Sequence, residues 1–135
     1  MRYKNKSTKD IARQLCKALG ERNLELIMSL FAEDIDWNIP GNQEIATWTG
    51  RRSHKDEVKE FFQLLWKNTD PLSARIEYIL AEEDFAVIVG EFSTRMLSTM
   101  KVVESMFSIH ISVKDDLIVR YRLQEDSFAV VTALQ

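Results

Sequence analysis

The apolar residues of this chain recur at helical spacing in its first half and at every second position in its second half. Up to Phe31 they stand three or four apart on either side of Gly20, a pattern that predicts two consecutive helices. A third helix is predicted to begin near Ser53, because Ser53 and Asp56 have the spacing of a capping box. The polar segment 68–71, which contains a proline, is predicted to end it.

From Leu72 onward the period changes to two, which predicts strands. Polar breaks at 82–84 and 114–116 fit hairpins, so these strands should form an antiparallel meander. One further short strand is predicted before the third helix, and residues 128–134 suit either a closing helix or another strand. The predicted strands are 35–39, 76–80, 85–89, 107–113 and 117–123.

Helices that precede a meander predict an α+β fold in which the helices cover one face of the sheet. A sheet of four or five long strands bends strongly, and three helices cannot fill its concave face, so we expect a pocket for a small molecule there. The segment 85–89 is apolar on both faces, and a second copy of the chain is the simplest cover for its convex side. We therefore expect one domain, 1–135, that forms a homodimer.

The composition argues against several classes of partner. The net charge is −3 and basic residues are interspersed with acids, so a nucleic-acid partner is not expected. Residues 1–7 are polar and no later segment is long enough to span a bilayer, which favours a cytoplasmic protein without a membrane partner. Cys16 is the only cysteine, and His54 and His110 lie far apart in sequence, so we predict no metal site. No phosphate-binding loop is present, and no cofactor is expected.

Five short segments carry a family resemblance that covers nearly the whole chain: 31–34, 37–41, 50–51, 58–62 and 118–126. In their order and spacing they resemble the SnoaL-like polyketide cyclases, within the nuclear transport factor-like and ketosteroid isomerase-like superfamily. This resemblance implies a cystatin-like conical roll, with three N-terminal helices packed on a curved, mainly antiparallel sheet. It also implies a pocket at the wide end and, usually, a homodimer.

The chemistries of this superfamily can be compared with the residues present. Alignment with a ketosteroid isomerase places Ile39 at the catalytic base and Leu15 at the oxyanion-donating tyrosine, and neither side chain can transfer a proton. Ile39 is therefore predicted to line the pocket only. An epoxide hydrolase-like activation of water would need acids and a base such as Glu91, Arg95 and Asp126, which match no motif of those enzymes and form a minor alternative.

Asp126 is the candidate catalytic residue, because the SnoaL-like cyclases have an aspartate just after the last strand that abstracts a proton next to a carbonyl. It also suits the N-cap of a helix that begins at Ser127, and the two roles are compatible. The chain departs from the family at Gln124, where an aromatic residue is common, and at 115–116, where Asp-Asp replaces the usual Asp-Gly turn.

Two further polar residues are candidates for the pocket. His110 is predicted to face solvent, a dimer contact or the pocket. Glu91 lies in an apolar strand and is either a structural partner of Arg95 or a buried functional carboxylate.

Large flat side chains suit a planar apolar ligand, and Trp48, in a loop without periodic partners, is expected at the pocket rim. The aromatic candidates for ligand contact are Trp37, Trp48, Phe62 and Trp66.

Two functions are compatible with this sequence. The first is a cofactor-independent isomerase or cyclase that binds a small apolar or polycyclic carbonyl compound and uses Asp126 as its base. The second is a non-catalytic ligand-binding or stress-associated homodimer in which Asp126 only caps a helix.

Overall fold

A computed structural model describes residues 7–135 as one six-stranded sheet with helices on its concave face. The polar N-terminal segment that we interpreted as lacking a signal sequence lies outside the described residues, apart from Ser7. In chain order the elements are α1 (Thr8–Glu21), α2 (Leu24–Leu30), β1 (Phe31–Ile39), β2 (Gly50–His54), α3 (Lys55–Asn68), β3 (Thr69–Glu82), β4 (Phe85–Met96), β5 (Val102–Lys114), β6 (Leu117–Glu125) and α4 (Ser127–Ala133).

The strand order is β2-β1-β6-β5-β4-β3, so the predicted antiparallel meander of the last four strands is confirmed. β1 enters beside β6 and runs parallel to it, which brings the first and last strands of the chain together. Asp36 of β1 helps to hold this pairing, because its carboxylate accepts a hydrogen bond of 2.8 Å from Arg122 of β6. The α+β architecture is therefore the one that the sequence predicts.

The start of the third helix differs from the prediction. Residues 50–54 form β2 and pair with β1, so helix α3 begins at Lys55 instead of near Ser53. The carboxylate at its first turn belongs to Glu57, which accepts the backbone N–H groups of Ser53 at 2.9 Å and His54 at 3.1 Å. Strand pairing extends the chain up to the helix, and the acid that satisfies the free amides is therefore one residue later than predicted.

The helices are also distributed differently from a simple N-terminal group of three. β1 and β2 lie between α2 and α3, and α4 closes the chain, which decides between the two alternatives for residues 128–134. Both predicted hairpins are present. In the turn between β5 and β6, Asp115 and Asp116 adopt φ values of 52° and 64°, so this pair of aspartates accepts the left-handed conformation that a glycine usually provides.

The sheet bends over the core at Gly90. A Cβ atom at this position would lie 2.2 Å from the carbonyl oxygen of Arg75 and 2.8 Å from the ring of Phe107. The register between β3 and β4 shifts between Ile76 and Tyr78, directly opposite this glycine. Bulges of this kind increase the twist and bend of a sheet, and here they open its concave face toward the helices.

An aromatic cluster fills the core beneath α3. Trp37 stacks on Tyr121 with the ring centroids 4.0 Å apart and the planes at 8°, and the edge of Phe61 meets Trp37 at 4.9 Å. All three side chains are buried. Trp37 lies behind the wall of the cavity described below, whereas Phe61 and Tyr121 also line that cavity, together with Phe62 and Trp66.

The convex face of the sheet presents apolar side chains to solvent. Within the segment 85–89, Ala86 and Ile88 are fully buried on the concave side, whereas Val87 and Val89 face outward. Tyr78 and Leu80 of β3 pair with these two valines and are each 62% exposed. The segment is therefore apolar on both faces, as its sequence indicates.

Candidate functional site

A cavity of about 240 Å³ lies between α3, the C-terminal end of α1 and the concave face of β3 to β6. Its wall is mostly apolar and aromatic, and among the described residues only Arg22 and Glu125 bring charge to it. The volume falls just below the range of roughly 300–1,000 Å³ that is typical of pockets for drug-sized ligands, which favours a small ligand. Residues that contribute most of the apolar wall are Ile39, Trp48, Phe61, Phe62, Leu65, Trp66, Phe92, Phe107, Ile109 and Leu123.

Glu125 brings a carboxyl group into this apolar wall. It is the last residue of β6 and pairs with Phe107, whose ring also lines the cavity. Burial raises the pKa of Glu125 from its ordinary value of 4.5 to about 7, and the negative charge of neighbouring Asp126 raises the pKa further. Near neutral pH the group is therefore divided between carboxylate and carboxylic acid, the state that suits proton transfer.

Tyr121 lines the same cavity four residues earlier on β6. Its pKa is raised above the ordinary phenol value, first by burial and then by the charges of Glu125 and Cys16. The phenol therefore keeps its proton at every physiological pH. The neutral hydroxyl of Tyr121 and the titrating carboxyl of Glu125 therefore lie on the same strand and line the same cavity.

Arg22 is the other charged residue of the wall. It caps the C-terminal end of α1 in the left-handed conformation, with φ 50° and ψ 39°. Its guanidinium carbon lies 5.6 Å from the centre of the Trp66 ring, a cation–π contact. Partial burial lowers the pKa of Arg22, which an anion nearby would counteract.

Asp126, the predicted base, does not line this cavity. Its Oδ1 atom accepts the backbone N–H of Ala129 at 2.9 Å, and the side chain is exposed at the start of α4. It is therefore the N-cap that the sequence offered as its second role. Its own backbone N–H donates to the hydroxyl of Ser105 at 3.0 Å, which ties the start of α4 to β5.

The aromatic candidates divide between wall and core. Ile39, Trp48, Phe62 and Trp66 line the cavity, whereas Trp37 lies behind it in the aromatic cluster. Trp48 was expected at the pocket rim; it lines the cavity, and only 4% of its surface is accessible. It is a wall residue that also belongs to the core.

The polar candidates Glu91 and His110 both face away from the cavity. Glu91 accepts a hydrogen bond of 2.9 Å from Arg75, its partner on the neighbouring strand, so the expected pairing with Arg95 is wrong. Residues four apart on one strand are separated by roughly 13 Å, whereas direct cross-strand partners lie about 5 Å apart. His110 lies on the convex face, where its Nε2 is 2.9 Å from the hydroxyl of Ser108 and its ring is 6.2 Å from that of Phe85.

Glu125 was not among the residues predicted from the sequence, although the alternation of side chains along β6 indicates its position. Tyr121 and Leu123 face the concave side, and strict alternation places Glu125 on that side and Asp126 off it. Arg22 gave no such signal, because it follows the end of a helix and only the tertiary fold brings it beside Trp66.

Other kinds of site are not formed by the residues that the structure describes. Over residues 7–135, no three histidine, cysteine, aspartate or glutamate side chains cluster in a way that could hold a metal ion. Within the same range, no helix is both long enough and apolar enough to cross a membrane.

Comparison with known families identifies the family to which this chain belongs. A family model described as a SnoaL-like domain matches residues 12–121, most of the chain. This chain belongs to the SnoaL-like domain family. The match runs from α1 to Tyr121 in the cavity wall, so it ends just before Glu125 and Asp126.

Solved structures show the same fold at low sequence identity. An NTF2-like protein from Burkholderia thailandensis has a TM-score of 0.86 and 20% identity, over 96% of this chain and 98% of that one. A protein with a cystatin-like fold from Xanthomonas campestris has a TM-score of 0.77 and 20% identity, over 90% and 92%. A protein with a ketosteroid isomerase-like fold from Catenulispora acidiphila, in complex with trimethylamine, has a TM-score of 0.70 and 10% identity, over 85% and 84%. Comparison with curated proteins gave no match.

Proposed function

We propose that this SnoaL-like protein binds a small, largely apolar carbonyl compound in its cavity and catalyses proton transfer at the carbon next to the carbonyl. Glu125 is the base, in the role that the sequence pattern assigned to Asp126. The observation that carries this proposal is that Glu125 is the one carboxyl group among the described residues of a mostly apolar wall, with a pKa raised to about 7. A base for a carbon acid at neutral pH needs this combination of burial and matched pKa.

The proposed reaction needs no cofactor. The Glu125 carboxylate takes a proton from the α-carbon and becomes a carboxylic acid, while the electron pair of the broken C–H bond forms an enolate. The neutral Tyr121 phenol is the candidate donor of a hydrogen bond to the enolate oxygen. If the ligand has a double bond conjugated with the enolate, return of the proton from Glu125 to the far carbon of that double bond gives an isomerase. If the enolate carbon instead attacks a second carbonyl of the ligand, a C–C bond forms, and the resulting alkoxide takes the proton back from Glu125, which gives a cyclase. The volume of about 240 Å³ favours a ligand of one or two rings over a larger polycycle.

Two neighbouring acids provide a matched test of the base. The probe is 2-tetralone, a two-ring ketone, and the measurement is deuterium uptake at its α-carbons in heavy water, followed by proton NMR. Glu125→Gln should slow the protein-dependent exchange by about 10²- to 10⁴-fold, the usual scale of general base catalysis. Asp126→Asn keeps an oxygen for the cap and should retain exchange within about tenfold of the wild type, since it only lowers the pKa of Glu125. Equal exchange in the wild type and Glu125→Gln would refute the assignment.

A non-catalytic binding function is the second candidate, and the apolar character of the wall favours it. Apart from Glu125, Tyr121 and Arg22, the described wall offers few groups that could stabilise a developing charge. In that case 2-tetralone should quench tryptophan fluorescence through Trp48 and Trp66 on binding, while its α-hydrogens exchange no faster than in buffer.

We further propose that the protein is a homodimer through the convex face of the sheet. Tyr78 and Leu80 are each 62% exposed on this face. Together with their strand partners Val89 and Val87 they form an apolar patch, and patches of this kind are commonly buried in protein–protein interfaces. Light scattering at micromolar concentration should give twice the monomer mass, and Leu80→Lys should give the monomer. Phe128→Lys is the control, because it replaces an apolar side chain that is 80% exposed on α4 instead of on the sheet. A monomeric wild type would refute this interface.

A further inference from the structure

Arg22 has few partners for a half-buried cation. Its side chain lies over Trp66 at the cavity wall, yet within the described residues its guanidinium donates no hydrogen bond and forms no ion pair. The negative charge of Asp70 raises the pKa of Arg22, but the Asp70 carboxylate lies 4.0 Å from Arg95 and is 54% exposed. The five guanidinium N–H donors therefore lie in a fixed plane at the cavity with no acceptor among residues 7–135.

The backbone at this position adds a second observation. Arg22 is in the left-handed region at the C-terminal cap of α1, where glycine or asparagine is usual. Its own N–H is satisfied by the carbonyls of Ala18 and Leu19, so the cap itself does not use the side chain. The side chain instead lies over the ring of Trp66, and this contact positions the guanidinium beside the cavity.

We propose that Arg22 binds the carboxylate of an amphipathic ligand whose apolar body fills the cavity. This inference rests on the proposed function and specifies its substrate class: an aromatic or alicyclic oxo acid, with its carboxylate at Arg22 and its acidic C–H at Glu125. A planar guanidinium forms paired hydrogen bonds with a carboxylate, and such charge-assisted bonds are among the strongest that a protein offers a ligand.

The sheet register separates the two charges enough for such a ligand to lie between them. Asp70, beside Arg22, pairs with Arg95 of β4, whereas Glu125 pairs with Phe107, which in turn pairs with Gly90 of β4. Positions 90 and 95 of one strand are roughly 16 Å apart along its axis. The long side chains of Arg22 and Glu125 shorten this gap, and the apolar wall continues between them.

The test compares two probes that differ only in charge: 2-naphthylacetate and 2-naphthylacetamide. Affinity is measured by tryptophan fluorescence near pH 6, about one unit below the pKa of Glu125, where this carboxyl is mainly protonated and does not repel the anion. The wild type should bind the acid at least about tenfold more tightly than the amide, the scale of one charge-assisted hydrogen bond. Arg22→Gln should remove this preference by weakening the binding of the acid much more than that of the amide, and Arg22→Lys should restore part of it.

Arg95→Gln is the matched control. It removes one positive charge near the same Asp70, but Arg95 does not line the cavity, so the preference for the acid should persist. Loss of the preference in Arg95→Gln as well would show a general charge effect and overturn the inference. Equal binding of both probes to the wild type would overturn the role of Arg22 alone, whereas binding of neither would overturn the proposed cavity function too.

Discussion

Replacement of Glu125 by glutamine is predicted to stabilise the protein above neutral pH. The buried carboxyl has a pKa of about 7 in the folded chain and 4.5 when exposed. The folded state therefore holds a proton that the unfolded chain releases between these two values, so the free energy of unfolding contributed by Glu125 falls as the pH rises from 4.5 to 7. Above pH 7 the folded chain must bury a full negative charge in an apolar wall.

The size of the effect follows from the two pKa values. Each pKa unit corresponds to about 1.36 kcal/mol, so a rise from 4.5 to about 7 amounts to roughly 3 kcal/mol at full effect. Solvent screening reduces this free energy, because Glu125 is only partly buried at the end of its strand. Glutamine has nearly the same shape and carries no charge at any pH. We therefore expect Glu125→Gln to be more stable than the wild type by about 1–3 kcal/mol at pH 8 and nearly equal to it at pH 4.5.

The assay is urea unfolding of the wild type and the variant at several pH values, followed by tryptophan fluorescence. All other carboxyl groups titrate in both proteins, so the difference in unfolding free energy isolates Glu125. Asp126→Asn provides the control: it removes the neighbouring charge that raises the folded-state pKa of Glu125, so in this variant the decline in stability above pH 4.5 should be smaller and should end at a lower pH than in the wild type. A difference between Glu125→Gln and the wild type that stays constant from pH 4.5 to 8 would refute the burial of this carboxyl.

Three further substitutions test the fold around the cavity. Asp126→Ala should destabilise the protein by about 1 kcal/mol through loss of the α4 cap, whereas Asp126→Asn should cost much less, and equal costs in urea unfolding would contradict the capping role. Gly90→Ala should cost about 1–3 kcal/mol, because the new methyl group meets the carbonyl oxygen of Arg75, and an unchanged unfolding midpoint would contradict this contact. Trp48→Ala should lower the unfolding free energy by about 3 kcal/mol or more and should also weaken the binding of 2-tetralone, because Trp48 is both a core residue and part of the cavity wall. A loss of affinity without a loss of stability would place Trp48 at an open rim.

The turns and helix ends show how far local chemistry specifies this chain. The polar pairs at 83–84 and 115–116 separate consecutive strands, and the aspartates among them suit the turns because their short side chains tolerate left-handed backbone angles. This requires no knowledge of distant contacts. The cap formed by Asp126 is local in the same sense, since the acceptor and the Ala129 amide are three residues apart. The start of α3 was predicted two residues too early, because residues 50–54 pair with β1, the preceding strand, and this pairing competes with the helix.

The sequence by itself determined the α+β class, the meander and the presence of a concave apolar face, because periodicity and turn chemistry are properties of neighbouring residues. Alternation along β6 can separate the adjacent acids Glu125 and Asp126, but only the tertiary structure decided that the face with Glu125 lines a cavity and that Asp126 caps an exposed helix. The same holds for Arg22, which meets Trp66 across 44 residues of chain only because α1 and α3 pack over one sheet. Burial and the pKa that follows from it depend on everything that surrounds a side chain, and those surroundings exist only after the strands have paired.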